Sequence, residues 1–226
     1  MTDYTLIRSA RKTLSLRVTK DAVLEVRAPL NVPKAEIDRF VVLKKSWIDK
    51  HRATASRHAV DRAAFALDYG SAVLIQGQSH TIEARGVKRE RFDGHSVFLP
   101  PGLTRDQIKR AVVRLYKAVA KQVLTAKATQ FATQTGLIPA DVRINSAKTR
   151  WGSCGGGNRV NFSWRLIMAE EDVIDYVVIH ELVHTVEHNH SVRFWAVVER
   201  ILPDYNTRKA KLKSLQERLS GEDWEL

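Results

Sequence analysis

One cysteine, Cys154, stands in 226 residues, so the chain can form no internal disulfide. No run of about 18 apolar residues occurs, which argues against a helical membrane span. The stretch MTDYTLIRSARKT lacks the apolar core and small-residue cleavage site of a secretory signal, so a cytoplasmic protein is expected. Internal repeats and low-complexity segments are also missing, which removes repeat architectures. Acidic residues are scarce in one stretch: residues 101–168 hold 12 Lys+Arg against 2 Asp+Glu.

What is present is ordinary globular composition, 44% hydrophobic and 27% charged, with a net charge of +12. The charge is uneven: +7 over residues 1–100, +10 over 101–168 and −5 over 169–226. A basic surface attracts anionic partners, and it admits nucleic acid among them.

The segments TLIRSA, TLSLRVT and AVLEVRAP alternate apolar and polar residues, as half-buried strands do. One helix is expected to interrupt the strands, with Pro33 in its first turn and Ile37, Phe40, Val41, Trp47 and Ile48 on its apolar side. AVLIQGQ, HTIEAR and SVFLP read as further short strands. Pro100-Pro101-Gly102 marks the expected boundary between a β-rich region (1–100) and a C-terminal domain (101–226). Thr104-Arg-Asp-Gln107 has the form of a capping box opening a long helix to about Gln134, with Gly136 placed to end it. DVRINSA and RVNFSWRLIM read as strands flanking a glycine-rich loop, Lys148–Gly157. A helix is expected over about 171–187, its acidic first turn suited to a helix N-terminus, with Asn189 as a left-handed stop. Two more helices follow, one capped by Ser191 and closed near Pro203, the other over about 206–219.

Four of the eight histidines fall between His180 and His190. His180-Glu181-Leu182-Val183-His184 is an H-E-x-x-H motif. On a helix its two imidazoles point the same way and can bind one ion, while Glu181 lies within reach of a water on it. The competing reading is a hydrogen-bonded structural cluster. The third ligand must come from beyond that turn. His190 has the spacing of the extended metzincin motif, although Glu187 replaces its glycine and no Met-turn follows; His188 and Glu199 are rivals. Three protein ligands leave a position for water, whose proton Glu181 can take as general base. The expected chemistry is hydrolysis at a carbonyl or phosphoryl centre.

Arg150-Trp-Gly-Ser-Cys154, Val160-Asn-Phe-Ser-Trp-Arg-Leu166, Asp175 to His184, Asn189-His-Ser191 with Phe194-Trp195, and Pro203-Asp-Tyr205 together resemble the YgjP-like metal-dependent hydrolases, relatives of the SprT-like and WLM zinc peptidases. The resemblance is densest over residues 142–205. It implies an α+β, zincin-like metallopeptidase domain preceded by a β-rich region. It further implies zinc, ligands His180, His184 and His190, and Glu181 as catalytic base. Members of the family are called metallopeptidases by fold, and some are described as UTP pyrophosphatases. Peptide and nucleotide substrates therefore both stand as expectations, beside a metal-stabilised nucleic-acid-binding module without catalysis. Arg150, Arg165 and Tyr205 are candidate substrate contacts: arginines for an anionic or carbonyl group, the tyrosine for developing negative charge. RVNFSWRL is the strand best placed in sequence to pair with an extended peptide.

Overall fold

A computed structural model describes residues 3–226. Chain contacts divide it into two units, residues up to Phe65 with Glu217–Asp223, and Ala66–Gln216 with Trp224–Leu226.

In the first unit, β1 (Thr5–Ser9), β2 (Ser15–Val18) and β3 (Leu24–Pro29) form a sheet of order β1-β3-β2. β1 runs parallel and β2 antiparallel to the central β3. Alternate residues Leu24, Val26 and Ala28 are fully buried, as a period of two requires, and cluster with Ile37, Val41 and Ile48. The expected single helix is two, α1 (Lys34–Leu43) and α2 (Lys45–Ala64), separated at Lys44, whose φ of −98° and ψ of 12° leave the helical basin. α2 runs well past the last residue of the apolar stripe. Ile48 is its only buried side chain, so its length owes more to alanines and long polar residues than to a packed face.

The second unit holds the remaining elements, except that the last helix ends in residues Glu217–Leu219 of the first. β4 (Ala72–Ile75), β5 (Gln78–Ala84), β6 (Arg91–Phe92) and β7 (Val97–Leu99) form a sheet of order β4-β5-β7-β6. Pro101-Gly102 makes the turn that leads from β7 into α3 (Arg105–Thr135). The capping box is formed: the Gln107 backbone N–H donates to Thr104 Oγ1, and the Thr104 N–H to Gln107 Oε1 at 2.8 Å. Gly136 ends the helix at φ 73°, a left-handed conformation that costs a glycine little.

β8 (Asp141–Asn145), β10 (Arg159–Ser163) and β9 (Gly152–Gly155) make a second sheet, with β10 in the middle, parallel to β8 and antiparallel to β9. Two readings of the sequence are corrected here. The tail of RVNFSWRLIM is a 3-10 helix, Trp164–Met168, because Trp164, Leu166, Ile167 and Met168 are all buried and cannot alternate. Part of the glycine-rich loop is itself a strand, β9. Its glycines carry none of the β-branched residues that advertise one.

α4 (Glu171–Val183) follows, nine of its side chains buried. It packs against α3, β9 and α5 (Val192–Ile201), and α6 (Tyr205–Leu219) comes last. A helix apolar nearly all round is one enclosed by its neighbours. An aromatic cluster closes this core: Tyr116 stacks on Trp164 at 5.6 Å between centroids and meets the edge of Trp224 at 5.3 Å. Among the described residues, no helix is long and apolar enough to cross a membrane.

Candidate metal centre

His180 lies in the last turn of α4, and His184 caps the helix. α4 stops earlier than its sequence suggests. After Val183 the backbone tightens, with the N–H groups of Val186 and Glu187 both donating to the Val183 carbonyl. Asn189 is not left-handed; the chain turns without it. Ser191 then caps α5, accepting from the Phe194 N–H at 3.3 Å. This reversal returns His190 to the rings it left behind.

The three rings converge. His190 Nε2 lies 3.0 Å from His180 Nε2 and 3.2 Å from His184 Nε2. Among the described residues, His180, His184 and His190 form a group able to hold a metal ion, their ligand atoms all within 4.8 Å of one another. Tetrahedral bonds of about 2.0–2.1 Å to histidine nitrogen would separate the nitrogens by roughly 3.3 Å, close to the two short spacings here. The protonation states also suit a cation. Burial, then the neighbouring imidazoles, drive the His180 pKa down to about 3, so its ring is neutral. His184 is lowered too, chiefly by burial. Its Nδ1–H donates to the Glu187 carbonyl at 2.9 Å, which leaves Nε2 with its lone pair facing inward. His180 Nδ1 is buried without a hydrogen-bond partner among the described residues.

Phe194 supports the group. Fully buried, it sits 4.8, 4.5 and 4.8 Å by ring centroid from His180, His184 and His190. Trp195 stacks on His190 at 5.7 Å, and Tyr205 stacks on the same indole at 5.3 Å.

Glu181 is 6% exposed. Burial pushes its pKa up to about 7, against the opposing pull of the Cys154 backbone N–H and the charge of Arg150. Gly152 lies directly against it; a Cβ there would stand 2.5 Å from Glu181 Cγ and 2.7 Å from Oε1. Nearby, burial and the Glu181 charge raise the Cys154 thiol above its ordinary value, which keeps it protonated and poorly nucleophilic.

These groups line a cleft of about 770 Å³, bounded by Arg150, the β9 glycines, Asn158 and the histidines. Of the sequence candidates, the cleft gathers His180, Glu181, His184, His190 and Arg150, and His188 is at its wall. His188 is outside the convergent group; its Nδ1 meets the His184 carbonyl at 3.1 Å. Glu199 is exposed on α5 and also outside it. Arg165 and Tyr205 do not line the cleft. The Arg165 guanidinium donates to the carbonyls of Ser146 and Ala147 and lies over the Trp164 ring at 4.4 Å. β10 is paired on both sides and has no free edge; β9 and β8 are the edge strands of this sheet, and β9 is the one that borders the cleft.

Gly152 lies in the Arg150–Cys154 stretch, a candidate from the sequence for lining the site, though nothing in the sequence signals the carboxylate against it. Phe194 read as ordinary core, and only its distance from three imidazoles gives it a part in the site.

A mixed α+β domain in which three histidines converge beside a buried glutamate has the architecture of a zincin-like metallopeptidase. The family model described as YgjP-like, metallopeptidase domain, matches residues 12–215, and the chain belongs to that family. No curated protein and no solved structure gave a match. Membership supports a metal-dependent hydrolase.

Proposed function

We propose that the chain is a zinc-dependent peptidase whose ligands are His180, His184 and His190 and whose general base is Glu181. One observation carries the reading: three imidazole nitrogens face one another at the wall of a cleft that also holds a buried carboxylate. The donor set fits zinc, which accepts neutral imidazoles and leaves room for a further ligand. Bound zinc supplies Lewis-acid chemistry, polarising a substrate oxygen and making water a stronger acid.

The chain's own residues do the rest. Glu181 takes a proton at its carboxylate from the attacking water and delivers it to the leaving nitrogen. Gly152 holds that carboxylate by contact, and the Cys154 N–H hydrogen-bonds it. The unpaired edge of β9 borders the same cleft and offers backbone donors and acceptors to an extended peptide.

A second reading, hydrolysis of a nucleoside triphosphate such as UTP, draws on Arg150 at the cleft wall, a guanidinium suited to phosphate. The test is a parallel screen of peptide libraries and of UTP, ATP and pyrophosphate, repeated with Glu181→Gln. Peptide cleavage, lost in the variant while its metal is retained, is the expected result. Turnover confined to nucleotides would transfer the function to the second reading, and undiminished turnover in Glu181→Gln would remove Glu181 as the base. Binding of DNA with no turnover of any substrate would instead favour the non-catalytic module.

A further inference from the structure

α3 carries seven basic residues and one acidic, Asp106. Arg110, Arg114, Lys117 and Lys121 follow one another at steps of four, three and four, which places them on one face of the helix, and all four are exposed. From Arg110 to Lys121 this stripe spans roughly 16 Å at 1.5 Å per residue. A second segment converges on it. Lys88, Arg89 and Glu90, in the connection between β5 and β6, join Arg110, Arg114 and Gln107 around a groove of about 500 Å³. This groove shares no lining residue with the histidine cleft.

The cations of the stripe are poorly neutralised. Arg114 is paired, through two hydrogen bonds of 2.8 and 2.9 Å to Glu90, which holds that carboxyl below its ordinary range. Among the described residues, Lys88, Arg89, Arg110, Lys117 and Lys121 make no ion pair. Two other lysines of this unit show the contrast: Lys127, further along the same helix, meets Glu171 and Asp175 at 2.7 Å each, and Lys211 meets Glu170 and Asp172. Five cations without an ion-pair partner thus lie along this line and around this groove.

We propose that this face binds the phosphate backbone of nucleic acid, without reading its sequence. A small anion needs a few convergent, sheltered donors, whereas these cations are exposed and strung out at intervals of about 5 Å along a helix. Such a line gains most from a polymer of high linear charge density, because each phosphate it neutralises releases condensed counterions. An acidic peptide has no comparable counterion atmosphere to release. A membrane surface would favour apolar anchors beside the charges. The apolar side of α3 is buried instead, and among the described residues no large hydrophobic side chain is exposed between Val60 and Ile138.

The test is fluorescence anisotropy of a short labelled DNA duplex with the full chain over a series of salt concentrations. It is repeated with Arg110→Gln/Lys117→Gln/Lys121→Gln, a variant that keeps good helix formers on an exposed face. If about four phosphates are neutralised, the logarithm of affinity should fall against the logarithm of salt with a slope of about −3 to −4. The variant should bind at least about 10-fold more weakly at low salt, with the slope shallower by about 0.9 for each phosphate that goes without its cation. Its circular dichroism and bound metal should match those of the unaltered chain. Unchanged affinity in the variant would overturn the assignment. So would competition by polyglutamate as effective, charge for charge, as that of DNA, which would point to an acidic protein partner; and so would preference for anionic vesicles over DNA.

Discussion

Gly152 touches Glu181: a methyl group on its Cα would lie 2.5 Å from Glu181 Cγ, closer than two carbons can approach. The strand that borders the cleft and the helix that carries the carboxylate are therefore fitted together where any side chain would intrude. Gly152→Ala is expected to displace the carboxylate and leave the three imidazoles in place. Overpacking of this kind costs about 1–3 kcal/mol. Metal content should stay at the level of the unaltered chain while hydrolysis falls by about 100-fold, the scale of a lost general base. Elemental analysis beside a turnover assay on the same preparation checks both halves.

Phe194 underlies the histidines, its ring within 4.8 Å by centroid of each. Phe194→Leu keeps the site apolar, so a stability loss of about 1 kcal/mol is expected. With their support narrowed, the imidazoles should bind zinc at least about 10-fold more weakly, the scale seen when groups that orient metal ligands are removed. Competition with a chromophoric chelator measures this directly. Affinity equal to that of the unaltered chain would show that the ring merely fills space.

Glu90 and Arg114 give a pH signature outside the cleft. Two charge-assisted hydrogen bonds from Arg114 hold the Glu90 carboxyl below its ordinary value. A folded-state pKa lower than the unfolded one adds stability that is full above the unfolded value, about 4.3, and is lost as pH falls through the folded value. Arg114 is 59% exposed, so solvent screening limits the pair to about 0.5–1 kcal/mol. Glu90→Gln should accordingly melt below the unaltered chain at pH 7, and the gap should close in acid. A gap that persists at the lowest pH would mean that Glu90 acts through packing.

Local rules written in neighbouring residues were readable from the sequence. Thr104 and Gln107 close their capping box, Gly136 takes its left-handed turn, and the alternation of Leu24, Val26 and Ala28 marks a half-buried strand. His180, Glu181 and His184 announce themselves because helical spacing fixes which way they point. The spacing of His190 agreed with a known pattern, but its convergence depends on a reversal after Val183 that no single residue signals; Asn189 is the residue type that often makes such a turn, yet here it does not adopt the left-handed conformation. β9 was invisible because its glycines lack strand propensity and are set by their neighbours β10 and α4. Arg165 looked like a substrate contact, yet its guanidinium is taken by the Ser146 and Ala147 carbonyls, a fold-level contact across 19 and 18 residues.

The three-imidazole centre is tested most directly by elemental analysis of the purified chain against His190→Ala. The expected result is about one zinc ion per chain in the former, held through dialysis, and little or none in the latter, with the helical spectrum unchanged. A chain that carries no transition metal, or a His190→Ala variant that binds zinc as tightly as its parent, would contradict it.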